Sequence, residues 1–148
     1  MLSQANHIIL AEDDEDDSLF FEEALNSIAD PPHLILARDG EELTQLLQDT
    51  FPHPDLIFLD LNMPRKNGAQ CLCEIRKSKD LRELPVVVLS TSSSKDIIDD
   101  MYQSGANLYI QKPNDVNLWK RAIAAVLKLD WNIHTRFSVR EIFTLTEY

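Results

Sequence analysis

Acids, a hydroxyl and an amine stand at the ends of short apolar runs in this chain. Asp60 closes the run Leu56-Ile57-Phe58-Leu59, and Glu12-Asp13-Asp14 follow His7-Ile8-Ile9-Leu10-Ala11. Ser90 follows Val86-Val87-Val88-Leu89, and Lys112 comes just after Leu108-Tyr109-Ile110. Carboxylates brought together can hold a hard divalent cation. A lysine and a hydroxyl beside them can hold phosphoryl oxygens. A carboxylate attacking phosphorus meets like-charge repulsion, which a cation and an ammonium group reduce. The combination therefore points to phosphoryl chemistry at Asp60, provided the chain brings these positions together.

The elements needed to do so are legible. Residues 7–11, 33–37, 55–59, 86–89 and 108–110 read as strands, because short runs rich in Ile, Val and Leu between turn residues fit buried parallel strands. Helical periodicity fills the gaps, as in Phe21, Ala24, Leu25 and Ile28, or Trp119, Ala122, Ile123 and Val126. Pro31-Pro32, Pro52, Pro54 and Pro85 fall at element boundaries. Five alternating strand–helix units predict an α/β fold, a five-stranded doubly wound parallel sheet with helices on both faces. The carboxyl ends of such strands share one edge, where ligands bind. Asp60, Asp13, Ser90 and Lys112 are then neighbours in space.

At 148 residues the chain is long enough for one domain with a real core. Its formal net charge of -11 argues against a nucleic-acid footprint, which needs clustered Lys and Arg. No apolar stretch is long enough to span a bilayer, and the start Met1-Leu2-Ser3-Gln4 carries no signal-like pattern, so a cytoplasmic protein without membrane partners is expected. Cys71 and Cys73 would lie on different faces of a helix, which suits free thiols better than joint metal ligation. His7, His33, His53 and His134 form no ligand pair by spacing.

Each reactive residue also has a plain structural explanation. The acidic row from Glu12 to Asp17 suits the first turn of a helix, Ser90 could cap one, and Lys112 before Pro113 could be a surface lysine. It is their joint occurrence, in this order, that resembles a known family. Glu12-Asp13, Asp60, Ser90 and Lys112-Pro113 over roughly residues 6–129, with Asn62-Met63-Pro64 and Asn67-Gly68 after the central acid, resemble a response-regulator receiver domain of two-component signalling. The resemblance implies that Asp60 accepts a phosphoryl group from a histidine kinase. It implies Mg2+ held by Asp13, Asp60 and the backbone carbonyl of Asn62, with Glu12 acting through water. Ser90 and Lys112 would bind the phosphoryl group, and Tyr109 would change rotamer as Ser90 moves. The acidic row, Leu59-Asp60-Leu61-Asn62-Met63-Pro64 and Leu89-Ser90-Thr91-Ser92 look most like single-domain receivers that partner bacterial phytochromes. Glu12 and Ser90 depart from the family's commoner aspartate and threonine without removing a function.

The implied function is a signalling module that takes a phosphoryl group from a sensor kinase, such as a bacteriophytochrome, and passes its state to a partner or a downstream phosphotransfer protein. The rival is a magnesium phosphohydrolase working through an aspartyl phosphate. Such enzymes resembling haloacid dehalogenases carry a second aspartate two residues after the nucleophile, and that place here is Asn62, which cannot act as a general acid. Residues 1–129 form the expected receiver domain and 130–148 a C-terminal extension. Trp131, Ile133, Phe137, Val139, Ile142, Phe143 and Leu145 give that extension enough apolar surface to pack or to join a homodimer. Ser138-Val139-Arg140-Glu141 has the form of a capping box opening a short helix.

Overall fold

The computed structural model describes residues 5–50, 52–129 and 131, and the backbone of 144–145. Five strands and five helices alternate: β1 His7–Ala11, α1 Glu15–Asn26, β2 His33–Ala37, α2 Gly40–Asp49, β3 Leu56–Asp60, α3 Gly68–Lys77, β4 Val86–Ser90, α4 Lys95–Gln103, β5 Leu108–Gln111 and α5 Val116–Leu127. A two-residue strand, β6 Thr144–Leu145, follows. The sheet order is β2-β1-β3-β4-β5-β6 and every pairing is parallel. The expected doubly wound sheet is present, with β6 added at the β5 edge through the pairs Tyr109–Thr144 and Ile110–Leu145. The extension thus contributes backbone to the sheet. The proposed capping box at 138–141 and the apolar residues Ile133, Phe137, Val139, Ile142 and Phe143 lie outside the described residues.

Because side chains alternate across a strand, consecutive residues feed different cores. Ile9, Ile57, Leu59, Val86, Val88 and Tyr109 pack with Leu43 and Leu47 of α2, Leu72 and Ile75 of α3, and Met101 of α4. Ile8, Leu10, Phe58, Val87, Leu89 and Ile110 pack with Phe21 and Leu25 of α1 and Trp119, Ile123 and Val126 of α5. Phe21 meets Phe58 edge-on with centroids 4.9 Å apart, and Trp119 at 5.8 Å, so α1 and α5 are joined to β3 through aromatic contacts. β3 and β4 are buried along their whole length, which explains their unbroken apolar sequences. Trp131 joins the α1–α5 core, and its indole N–H donates to the Val126 carbonyl at 3.2 Å. The start of the extension therefore docks on its own chain.

Local sequence sets where the helices begin. Asp14, Asp39 and Asp115 cap α1, α2 and α5, each accepting from a backbone N–H three residues ahead. Asn67 and Gln70 close a reciprocal capping box on α3. Ser94 at the start of α4 makes no side-chain cap, and Met101 is the residue α4 buries. Among the described residues, no helix is long and apolar enough to cross a membrane.

Candidate functional site

The first strand ends at Ala11, so Glu12 and Asp13 emerge from the sheet edge, beside β3 and its terminal Asp60. Carboxylate oxygens of Glu12, Asp13 and Asp60 all lie within 4.8 Å of one another. Glu12 and Asp60 are buried and Asp13 is exposed, so the cluster has a floor and an open side. From β5, Lys112 reaches across: its Nζ is 2.6 Å from Glu12 Oε1, 3.0 Å from Asp17 Oδ2 and 3.3 Å from Asp60 Oδ1. The strand order explains the convergence, because β1, β3, β4 and β5 are successive neighbours.

The loop after β3 folds back on the same edge. The Asn62 N–H donates to Asp60 Oδ1 at 3.3 Å, and the Gly68 N–H donates to the Leu61 carbonyl at 3.1 Å. Gly68 is required for this close approach, since a Cβ there would collide with the Asp60 carbonyl oxygen. At the end of β4, Ser90 Oγ accepts from the Ser92 N–H at 3.1 Å, and the Ser90 carbonyl accepts from the Lys112 N–H at 2.7 Å. Ser90 therefore organises its own loop and is bonded to the backbone of Lys112; it caps no helix. Tyr109 is fully buried, and its hydroxyl donates to the Ser92 carbonyl at 2.6 Å, so β5 is tied to the loop beyond Ser90.

The electrostatics are those of an over-supplied anion cluster. Burial, reinforced by Asp60, pushes the Glu12 carboxyl up to about 10, against the pull of Lys112. Partial burial and the nearby Asp60 also raise Asp13. Burial acts to lower the Lys112 ammonium, but Glu12, Asp60 and Asp17 outweigh it and hold the lysine above its ordinary range. Glu12 Oε2 is buried with no hydrogen-bond partner. A buried acceptor left open beside three clustered carboxylates fits a hydrated cation. Oxygen donors alone, one on an exposed residue, suit a hard ion such as Mg2+ or Mn2+.

All the residues singled out in the sequence thus lie at one sheet edge. Asp13, Asp60, Glu12 and Lys112 form the cluster, while Ser90 and Tyr109 form an adjoining hydrogen-bonded loop. Asp17 is an addition. The sequence places it in an acidic helix start, where such residues are favourable for the helix alone. Only the fold shows that the capped first turn of α1 delivers its carboxylate to Lys112.

Residues 8–124 match the family described as response regulator receiver domain. The chain belongs to that family. Response regulator Rcp1 of Synechocystis sp. is 38% identical over 114 residues, covering 74% of this chain and 78% of that protein. The solved Mn2+-bound form of Rcp1 aligns with a TM-score of 0.76 at 33% identity, covering 83% of this receiver and 95% of that chain. The phosphorylated cyanobacterial phytochrome response regulator RcpA gives a TM-score of 0.76 at 35% identity, covering 82% of this receiver and 91% of the other chain. The likeness to receivers associated with phytochromes, read from local motifs, is borne out.

Proposed function

We propose that this receiver accepts a phosphoryl group on Asp60 from a histidine kinase, with Mg2+ as the assisting ion. One observation carries the reading: Asp60 lies among clustered carboxylates with the Lys112 ammonium 3.3 Å from its Oδ1. Asp13, Asp60 and the Asn62 carbonyl would hold the ion, with Glu12 acting through water. Bound there, the ion would supply positive charge against the carboxylates and the incoming phosphoryl oxygens.

The chain's own groups do the rest. An Asp60 oxygen attacks phosphorus, an O–P bond forms, and the P–N bond to the donor histidine breaks with its electron pair returning to the imidazole. Lys112 and the Asn62 N–H orient the Asp60 carboxylate before attack. As charge moves onto the phosphoryl oxygens, Lys112 can shift from its carboxylate partners to them. Ser90 Oγ accepts from the Ser92 N–H, so its O–H remains available to donate to the same oxygens. Tyr109, bonded to the Ser92 carbonyl, would feel a shift of Ser90 through Ser92, which supports its role as a switch residue.

The partner we favour is a sensor kinase of the bacteriophytochrome class, as the named relatives suggest. The exposed Leu19 on α1 lines the groove that includes Glu12 and Asp13 and offers it an apolar foothold. A downstream phosphotransfer protein is a second partner, and the setting is the cytoplasm. We assign residues 1–129 to the receiver and 130–148 to an extension that packs and supports a homodimer. A purely monomeric full-length chain in sedimentation equilibrium would remove the dimer.

Intact mass after incubation with acetyl phosphate and Mg2+ tests the central reading. A single phosphoryl adduct is expected in the wild type and none in Asp60→Asn. An undiminished adduct in that variant would move the chemistry elsewhere, and steady hydrolysis of small phosphoesters would favour a phosphohydrolase.

A further inference from the structure

The loop from Leu61 to Asn67 carries the Asn62 carbonyl, and two successive side chains tie it to α2 and α3. Arg65 Nη1 donates to Asp39 Oδ2 at 2.6 Å. Lys66 Nζ donates to Thr44 Oγ1 at 2.9 Å and to Glu74 Oε2 at 2.8 Å. Asp39 is an unusually firm anchor. It is buried, and its Oδ1 accepts from the Glu42 N–H at 2.8 Å to cap α2, so it cannot shift without uncapping that helix. The Glu42 N–H and the Arg65 guanidinium both hold its carboxyl below the usual carboxylate range.

Arg65 also sits at φ 65, in the left-handed region that disfavours long side chains. Glycine would serve that backbone better, so the arginine must be retained for its side chain or in spite of it. Such conformations persist where the surroundings over-determine them, and they gather at functional sites. The surroundings here do so from both sides. Asp39 holds the Arg65 end, while the loop's beginning is fixed by Leu61 N–H on the Leu89 carbonyl at 3.1 Å and by Asn62 N–H on Asp60. Among the described residues, the ion pair of Arg65 is with Asp39 and not with Glu12, Asp13 or Asp60.

We propose that Arg65 is a positioning residue for the cation: clamped to Asp39, it fixes the loop that presents the Asn62 carbonyl beside Asp60. This rests on the reading that a divalent ion sits among Asp13, Asp60 and Asn62. The α2 cap and the ion site then form one mechanical unit, although Arg65 and Asp39 touch neither the ion nor the phosphoryl group.

Calorimetric titration of the full chain with Mg2+ alone, without phosphodonor, tests this alongside the thermal midpoint of the metal-free protein. Arg65→Gln should weaken Mg2+ binding roughly three- to tenfold, less than the 10–100-fold of buried outer-shell partners because Arg65 is largely exposed. Asp39→Asn keeps the cap but loses the ion pair. It should weaken binding as much, and the double variant no further. Arg65→Lys should recover part of the loss. Arg65→Gly separates positioning from stability: its backbone fits the loop and its midpoint should be equal or higher, yet its Mg2+ affinity should fall with that of Arg65→Gln. Wild-type affinity in both Arg65→Gln and Arg65→Gly, with Asp13→Ala impaired, would overturn the proposal and leave the ion site standing. Equal affinity in wild type and Asp13→Ala would instead remove the ion site, and the proposal with it.

Discussion

Two cationic side chains are drawn into this molecule at opposite ends of its sheet, and they are treated differently. Lys112, at the carboxyl edge, faces the carboxylates of Glu12, Asp17 and Asp60. Arg76, at the amino edge, donates to neutral oxygens: the carbonyls of Gly105, Arg82 and Leu84 and Asn107 Oδ1, at 2.7–3.0 Å. The same Asn107 oxygen accepts from the Val86 N–H at 2.8 Å, so Arg76 ties α3, the start of β4 and the approach to β5 into one knot. Burial lowers the Arg76 guanidinium from its ordinary range, and Glu83 partly offsets this. Every partner around Arg76 is a matched donor or acceptor, and the knot is closed. Around Lys112 there is more negative charge than one ammonium can balance, and an orphaned acceptor besides. Burial alone does not mark a site. Unbalanced burial does, because only it leaves free energy for a ligand to release.

The largest expected effect is at the open end. Lys112→Met should slow Asp60 phosphorylation by acetyl phosphate roughly 10²–10³-fold, the scale of losing one preorganised charge at a transition state. Its thermal midpoint in Mg2+ should move little. Time-resolved intact mass beside a melting curve measures both, and a wild-type rate would place Lys112 outside the chemistry.

Arg76→Leu should show the reverse pattern. It removes the side-chain donor from several carbonyls and one partner from the Asn107 side chain, costing on the order of 3 kcal/mol of stability. Urea unfolding should report that loss, while the folded fraction is phosphorylated at the wild-type rate. A variant as stable as wild type but slow to phosphorylate would erase the distinction between the two ends.

The amino-edge knot was illegible in the sequence, and the reason is physical. Arg76 reads as a basic residue in the last turn of a helix, which is favourable for the helix dipole without any tertiary partner. The strands were legible because β3 and β4 are buried on both faces, leaving apolar runs with abrupt ends. Asp60, Ser90 and Lys112 were legible for the same reason, as polar residues where such runs stop. Asp17, the Arg65–Asp39 pair and β6 were not. Their partners are set by the packing of separate elements, and no local period encodes that. The β-branched Thr144 and Thr146 suit a strand better than a helix, but nothing local names β5 as the neighbour.

A pH trend sharpens the picture of the open end. Burial and the nearby Asp60 hold the folded Glu12 carboxyl far above its ordinary 4.5. The folded state thus binds a proton more tightly than the unfolded one, and stability falls as pH rises above that ordinary value. Metal-free protein should lose thermal midpoint gradually from about pH 6 to about pH 9, and Mg2+ should restore more of it at the higher pH. Glu12→Gln should flatten the trend. A slope unchanged in that variant would assign the trend to other groups.

The fourth helix gives this molecule its cheapest degree of freedom. Ser94 gives α4 no side-chain cap, and α4 buries Met101 while Ile98 and Tyr102 pack half-buried on the same core. Segments with few buried contacts reach alternative arrangements at a small cost in free energy, so a minor conformer need not be rare. A covalent event at the neighbouring strand end then has little work to do: a bias of about 1.4 kcal/mol already multiplies the ratio of two populations tenfold. If Asp60 is phosphorylated as proposed, α4 is the helix whose pose that event would shift against the least opposition.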